Sequence, residues 1–163
     1  MNWAPFRVTT PGERPQPSRA LNTVEGIGDR LRSAAFAEIQ AREAFLWAAN
    51  TFPDIPEELR EEWRALALAE HRHMEWLLNR MAELNIDVQE RRVSEYLWHS
   101  LISCKSAREF SVFMANAEER GQKAGFRFHE ALVTIDPKSA EIFSKIAHEE
   151  TAHIALARRY FPE

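Results

Sequence analysis

From the third ten-residue block onward, apolar residues recur every three or four positions. Trp63, Leu66, Ala67, Met74, Leu77, Leu78 and Met81 form one such stripe, and Ile142, Phe143, Ile146, Ala147, Ile154, Ala157 and Phe161 form another. This is the period of an amphipathic helix. β-Branched runs are absent, and the chain has only five glycines. Four long helices are predicted. The first starts near Asp29, a good cap after Gly26 and Gly28, and runs to about Phe52, where Pro53 stops it. The second opens at Asp54 to Glu57, with Pro56 tolerated in the first turn, and runs to about Leu84. The third starts near Ser106, with Ser106 and Glu109 placed for a capping box, and runs to about Val133. The fourth starts at Asp136 with Pro137 at its first position and ends at Phe161.

Short links join helices one and two, and helices three and four, so each pair is an antiparallel hairpin. The middle link, roughly Asn85 to Lys105, is long enough to cross from one end of a bundle to the other. Its segment Ser94 to Cys104, with Tyr96, Leu97, Trp98, Leu101 and Ile102, predicts a short helix on the way. Ahead of the bundle, Pro5, Pro11, Pro15 and Pro17 rule out helix. Residues 1–22 are therefore an extended arm, either loose or packed on its own bundle or a partner subunit, and residues 23–163 are the bundle.

Polar residues interrupt both stripes at matching places. Glu70 and His73 lie in the middle of the second helix, and Glu150 and His153 lie in the middle of the fourth. Glu38 stands as far ahead of Glu70 as Glu118 stands ahead of Glu150. The same offset between the two halves extends to apolar positions: Trp63, Leu66, Ala67 and Met74 match Phe143, Ile146, Ala147 and Ile154. Ala35, Ala41 and Leu46 match Ala115, Gly121 and Phe126. The hairpins are two copies of one design about an approximate two-fold axis. A dinuclear site on that axis takes the same ligands from each copy, so the two half-sites are expected to bind alike.

Glu and His three positions apart share one helix face. Four carboxylates facing one another in a core cannot all stay ionised without compensation. Two divalent cations supply +4 against the −4 of Glu38, Glu70, Glu118 and Glu150, with His73 and His153 completing the ligand set. One Glu-x-x-His motif would be weak evidence; two at matching phase, each with a Glu at the same upstream distance, are not. The mixed oxygen and nitrogen donors suit iron or manganese, with zinc possible. Glu119 and Glu149, beside these ligands, are expected to be solvated. Glu43, His71 and His148 fall off the stripes; His99 and His129 remain open. Gly121 and Gly125, opposite Ala34, Ala35 and Ala41, allow either close helix packing or a small cavity beside the site.

Other properties narrow the field. With 163 residues and 45% apolar content, the chain suits one domain with one core. A net charge of −4 gives no electrostatic footprint for nucleic acid, and Arg91-Arg92 is expected to be solvated surface. No uncharged apolar run approaches the roughly 18 residues of a membrane span. Cys104 is the only cysteine, so disulfides and cysteine-rich metal sites within the chain are excluded, in keeping with a cytoplasmic location.

The arrangement resembles the ferritin-like di-iron carboxylate superfamily, which includes bacterioferritin, rubrerythrin, ribonucleotide reductase small subunits and bacterial multicomponent monooxygenases. A nearer resemblance is to an uncharacterised bacterial ferritin-like family known only as a domain of unknown function. It rests on Ala37-Glu38-Ile39-Gln40-Ala41, on the turn Phe52-Pro53-Asp54-Ile55-Pro56, on Ala69-Glu70 to His73, on His148-Glu149-Glu150 to His153, and on the Tyr96 to Phe110 crossover. It covers about Ala20 to Phe161. The resemblance implies an all-α, ferritin-like four-helix bundle. It carries metal ligation over to Glu38, Glu70, His73, Glu118, Glu150 and His153. The chain lacks the four cysteines of a rubredoxin centre, and neither Tyr96 nor Tyr160 lies beside the ligands as a radical tyrosine would.

The expected function is a dinuclear metal redox enzyme of oxidase, oxygenase or peroxidase type, using dioxygen or peroxide on a small-molecule substrate. The alternatives are a ferroxidase or iron-handling protein and a non-catalytic metal-binding bundle. A catalytic centre here would need an external reductase, since the chain has no cysteine pair. No membrane and no nucleic acid partner is expected, and the arm allows a homodimer.

Overall fold

The computed structural model describes residues 1–162, and within them every regular element is a helix. In chain order they are α1 (Val24–Thr51), α2 (Glu57–Glu83), α3 (Tyr96–Ile102), α4 (Ala107–Leu132) and α5 (Pro137–Tyr160). α1 packs along α2, and α4 along α5; the two hairpins meet less closely, through α2 with α5 and α1 with α4. None of the helices is long and apolar enough to cross a membrane.

The helix ends follow local chemistry. Ser106 Oγ accepts from the Glu109 N–H (3.1 Å). The Glu109 carboxylate accepts from the Lys105 N–H rather than from Ser106, so the box is shifted by one position. Asp136 caps α5 by accepting from the Ser139 N–H, with Pro137 in the first turn. α2 begins at Glu57, so Pro56 is its N-cap rather than a residue of the first turn.

α1 corrects the sequence reading more substantially. It begins at Val24, with the Thr23 hydroxyl accepting from the Gly26 N–H (3.0 Å), not at Asp29. Gly26 and Gly28 lie inside the helix because neighbours come close there. A Cβ on Gly26 would sit 1.8 Å from the Ala20 carbonyl oxygen, and one on Gly28 would sit 2.8 Å from Ile86 Cδ1. Asp29 is not a cap but the centre of a buried ionic cluster. It accepts from Arg19 (2.8 Å), Arg32 (3.0 Å) and Arg91 (3.3 Å). Arg91, expected to be solvated, instead ties Asp29 and the Pro17 carbonyl to the crossover. Arg92 pairs with Glu13 nearer the surface.

The chain ahead of α1 contains no helix and lies on the bundle. Trp3 and Phe6 are buried against Phe36, and Trp3 also meets Trp98 edge-on. Val8 pairs with Val93 of the crossover through Thr9 N–H to Val93 O and Val93 N–H to Arg7 O, each 2.9 Å. Buried Gln40 fastens α3 to α1, its Oε1 accepting from the Trp98 N–H (3.0 Å). Arm, crossover and α3 thus cover one flank of α1. No equivalent layer covers α4 among the described residues, so the two hairpins are alike in sequence but unlike in surroundings. Ala41 is buried where its repeat partner Gly121 is exposed, and Ala35 is fully buried where Ala115 is only partly so.

Candidate metal centre

The stripes of α2 and α5 face each other across the bundle, which brings their Glu-x-x-His motifs together. Trp63, Ala67, Phe143, Ile146 and Ala147 are buried around them. α1 and α4 add Glu38 and Glu118 from the sides. All six residues singled out in the sequence converge. Glu38, Glu70, His73 and Glu150 form one group that could hold a metal ion. Glu70, Glu118, Glu150 and His153 form a second. Within each group one donor atom per residue lies within 4.8 Å of the others.

Glu70 and Glu150 belong to both groups, and each presents a different oxygen to each imidazole. Glu70 Oε2 is 3.6 Å from His73 Nδ1, and its Oε1 is 2.8 Å from His153 Nδ1. Glu150 Oε1 is 3.4 Å from His73 Nδ1, and its Oε2 is 3.3 Å from His153 Nδ1. Glu38 Oε2 approaches His73 Nδ1 at 3.7 Å. The two rings lie nearly parallel, 5.8 Å apart. Ligand atoms at adjacent corners of an octahedron about 2.1 Å from a metal lie about 3 Å apart, close to these separations.

Proximity here does not satisfy the atoms. Among the described residues, Glu70 Oε1, His73 Nδ1, Glu118 Oε1, Glu150 Oε2 and His153 Nδ1 are buried without a hydrogen-bond partner. Each such group costs about 1–3 kcal/mol, and more when charged. Several in one place mark a missing partner rather than a packing defect.

The electrostatics agree. Burial, then the neighbouring Glu70, pushes the Glu38 carboxyl well above the carboxylate range. Burial, then Glu150 and Glu70, does the same to Glu118. Burial would lower both histidines, but the surrounding carboxylates outweigh it. His73, beside Glu150, Glu38 and Glu70, is raised far above its ordinary range, and His153, beside Glu150 and Glu70, is raised to about 11. Burial would lift Glu70, yet its contacts with Glu38, His153 and His73 hold it below the usual range. A proton on each of Glu38, Glu118, His73 and His153 compensates four carboxylates as fully as two divalent cations would.

One residue beside the cluster was misjudged in the sequence. Glu149, expected to be solvated, places Oε2 2.7 Å from His73 Nε2, with Arg72 3.8 Å behind it. The contact fixes Nδ1 as the atom that His73 turns toward Glu70 and Glu150. The signal lay in the repeat: the counterpart of Glu149 in the first hairpin is Ala69, so the copies differ beside a ligand. The other residues sort as follows. Glu43 pairs with Arg42, His148 bonds the Ser144 carbonyl, His99 is exposed, and His129 Nδ1 meets the Ala140 carbonyl at 3.0 Å. His71 Nδ1 lies 2.9 Å from an Arg42 nitrogen. Glu119 reaches toward Lys123 on the polar face of α4.

A cavity of about 320 Å³ lies between α1 and α4, and Glu38, Glu70, Glu118 and Glu150 help to line it. Of the two alternatives that the small residues left open, close packing and a cavity, Ala34, Ala41, Gly121 and Gly125 line the cavity, together with Ala37 and Ala117, while Ala35 is buried and does not line it.

No curated protein and no solved structure matches the chain. A family model does match, over residues 4–163, which is nearly the whole chain. The chain accordingly belongs to the family described as protein of unknown function (DUF455).

Proposed function

We propose that this protein is a ferritin-like dinuclear metal carboxylate protein, iron being the first candidate, and that it is a redox enzyme. The observation that carries the reading is the set of five buried, unpartnered donor atoms on Glu70, His73, Glu118, Glu150 and His153. Glu70 and Glu150, which belong to both groups, would contribute to both metal positions. Glu38 and His73 would complete one position, Glu118 and His153 the other. Four carboxylates and two imidazoles fit iron or manganese, and tolerate zinc. Two redox-active ions held there would make dioxygen or peroxide reduction available to the site.

The chain's own residues have definite tasks. Glu149 holds His73 through Nε2 and leaves Nδ1 for ligation. Glu38 and Glu118 border the cavity, so both metal positions would face a molecule bound there. The mostly apolar walls of the cavity favour an organic substrate over iron storage, which calls for polar routes. Electrons would come from an external reductase, and the setting would be the cytoplasm, because Cys104 is buried and has no second cysteine.

Anaerobic titration with ferrous iron, followed by air-saturated buffer in a stopped-flow spectrometer, tests the reading. Two ions per chain, oxidised faster than in a Glu38→Ala, Glu118→Ala double variant, is the expected result. Equal rates in both would favour a non-catalytic bundle.

A further inference from the structure

The cavity between α1 and α4 has two chemically different ends. Glu38, Glu70, Glu118 and Glu150 form one. Arg30, two turns earlier on α1, bounds the other with Ser33 and with Ser18 of the arm. Between them the walls are apolar or without side chains, from Ala34, Ala37, Gly121, Gly125, Ile146 and Ala147. A Cβ on Gly121 would meet nothing within 4 Å, so the space beside that glycine is open.

Arg30 is the only cation among the lining residues. Its Nη1 donates to the backbone carbonyls of Arg19 and Gly26, the latter at 3.1 Å. Those bonds anchor the side chain and leave the Nε and Nη2 edge without a protein partner among the described residues. That edge is the planar pair of donors that matches a carboxylate in bidentate fashion. A single guanidinium, with no lysine or second arginine in the lining, suits a monoanion rather than a phosphate.

Length narrows the ligand further. Arg30 and Glu38 lie about 12 Å apart along the helix axis, at about 1.5 Å per position. A zigzag hydrocarbon with bonds of about 1.5 Å at tetrahedral angles advances about 1.25 Å per carbon, so about ten carbons span that distance. The one guanidinium in the lining, at the end away from the glutamates, sets the orientation.

We propose, resting on the dinuclear-centre reading above, that the substrate is an unbranched medium-chain aliphatic monocarboxylate. Its carboxylate lies on Arg30, and its chain runs between α1 and α4 until the far end reaches Glu38 and Glu118.

Calorimetric titration of the full chain with decanoate and with decan-1-ol tests this, alongside Arg30→Gln and Gly121→Leu. Metal uptake and melting temperature are measured on the same samples. Decanoate should bind at least about tenfold more tightly than decan-1-ol, the weight of a charge-assisted hydrogen bond. Arg30→Gln should abolish that preference, and Gly121→Leu should weaken both ligands by filling the groove. Both variants should take up metal like the parent. Equal binding of decanoate and decan-1-ol by the parent, or parent-like decanoate binding by either variant, would overturn the assignment. Metal uptake without decanoate binding would overturn the ligand and spare the metal centre. Arg30-dependent decanoate binding by a protein that takes up no metal would overturn the metal centre and spare the ligand.

Discussion

His73 Nε2 lies 2.7 Å from Glu149 Oε2, and the repeat position of Glu149 is Ala69, which has no carboxylate to offer. A carboxylate behind a ligating imidazole fixes the ring and raises its basicity. The two halves of the centre, expected from the repeat to be alike, therefore differ. Two metal ions should bind with unequal affinity, the tighter beside His73. Glu149→Gln should weaken the tighter step by about 10–100-fold and leave the other nearly unchanged. Two-step metal titration of both proteins reads this directly; equal steps in the parent would contradict it.

Metal uptake should release protons. Glu38, Glu118, His73 and His153 all favour their protonated forms in the metal-free cluster, His153 up to about 11. Ligation requires them deprotonated. Apparent affinity should therefore rise between pH 6 and 8, with protons appearing in weakly buffered solution. A flat affinity across that range would show that these groups do not hold the protons assigned to them.

Stability should depend on pH in the same sense. A group whose folded value is raised contributes most below its unfolded value and loses that contribution as pH climbs through the folded one. For the two glutamates the loss begins near their ordinary 4.5; for His153 it runs from about 6.5 to about 11. Metal-free protein should melt at progressively lower temperature from pH 5 to 9. Metal-bound protein should melt higher and vary less. Parallel melting curves for the two forms would count against a buried cluster compensated by metal.

The arm has its own pin. Burial would raise Asp29, but Arg19 and Arg91 outweigh it and hold its carboxyl down at about 2, from an ordinary 3.8. A depressed carboxylate contributes above its unfolded value and loses that contribution as pH falls through the folded one. The shift corresponds to about 2.5 kcal/mol at neutral pH. Asp29→Asn should cost about that much by urea unfolding at pH 7 and much less near pH 2, where the native carboxylate also becomes neutral. A loss that is the same at both pH values would place the effect in packing, not charge.

The sequence disclosed the six clustered residues because each sits at a fixed phase in an apolar stripe, and helical period converts phase into direction. It also disclosed the end of α1 at Phe52 and the caps at Ser106 and Asp136, which depend on chemistry a few positions away. It misplaced the start of α1 because Gly26 and Gly28 look like breakers until Ala20 and Ile86 are seen against them. Asp29 looked like a cap because its partners, Arg19 and Arg91, come from the arm and the crossover. Glu149 looked solvated because its contact is across the bundle, where spacing along one helix carries no information. The prolines left open whether the arm was loose or packed; the places of Trp3 and Phe6 against Phe36 depend on tertiary structure alone.

Anomalous scattering from crystals of metal-loaded protein, recorded on either side of the iron edge, tests the central claim most directly. Two peaks about 3.5–4 Å apart should lie between Glu70 and Glu150, one beside Glu38 and His73 and the other beside Glu118 and His153. A single peak, peaks elsewhere, or Glu38 or Glu118 turned to solvent in the loaded protein would contradict it.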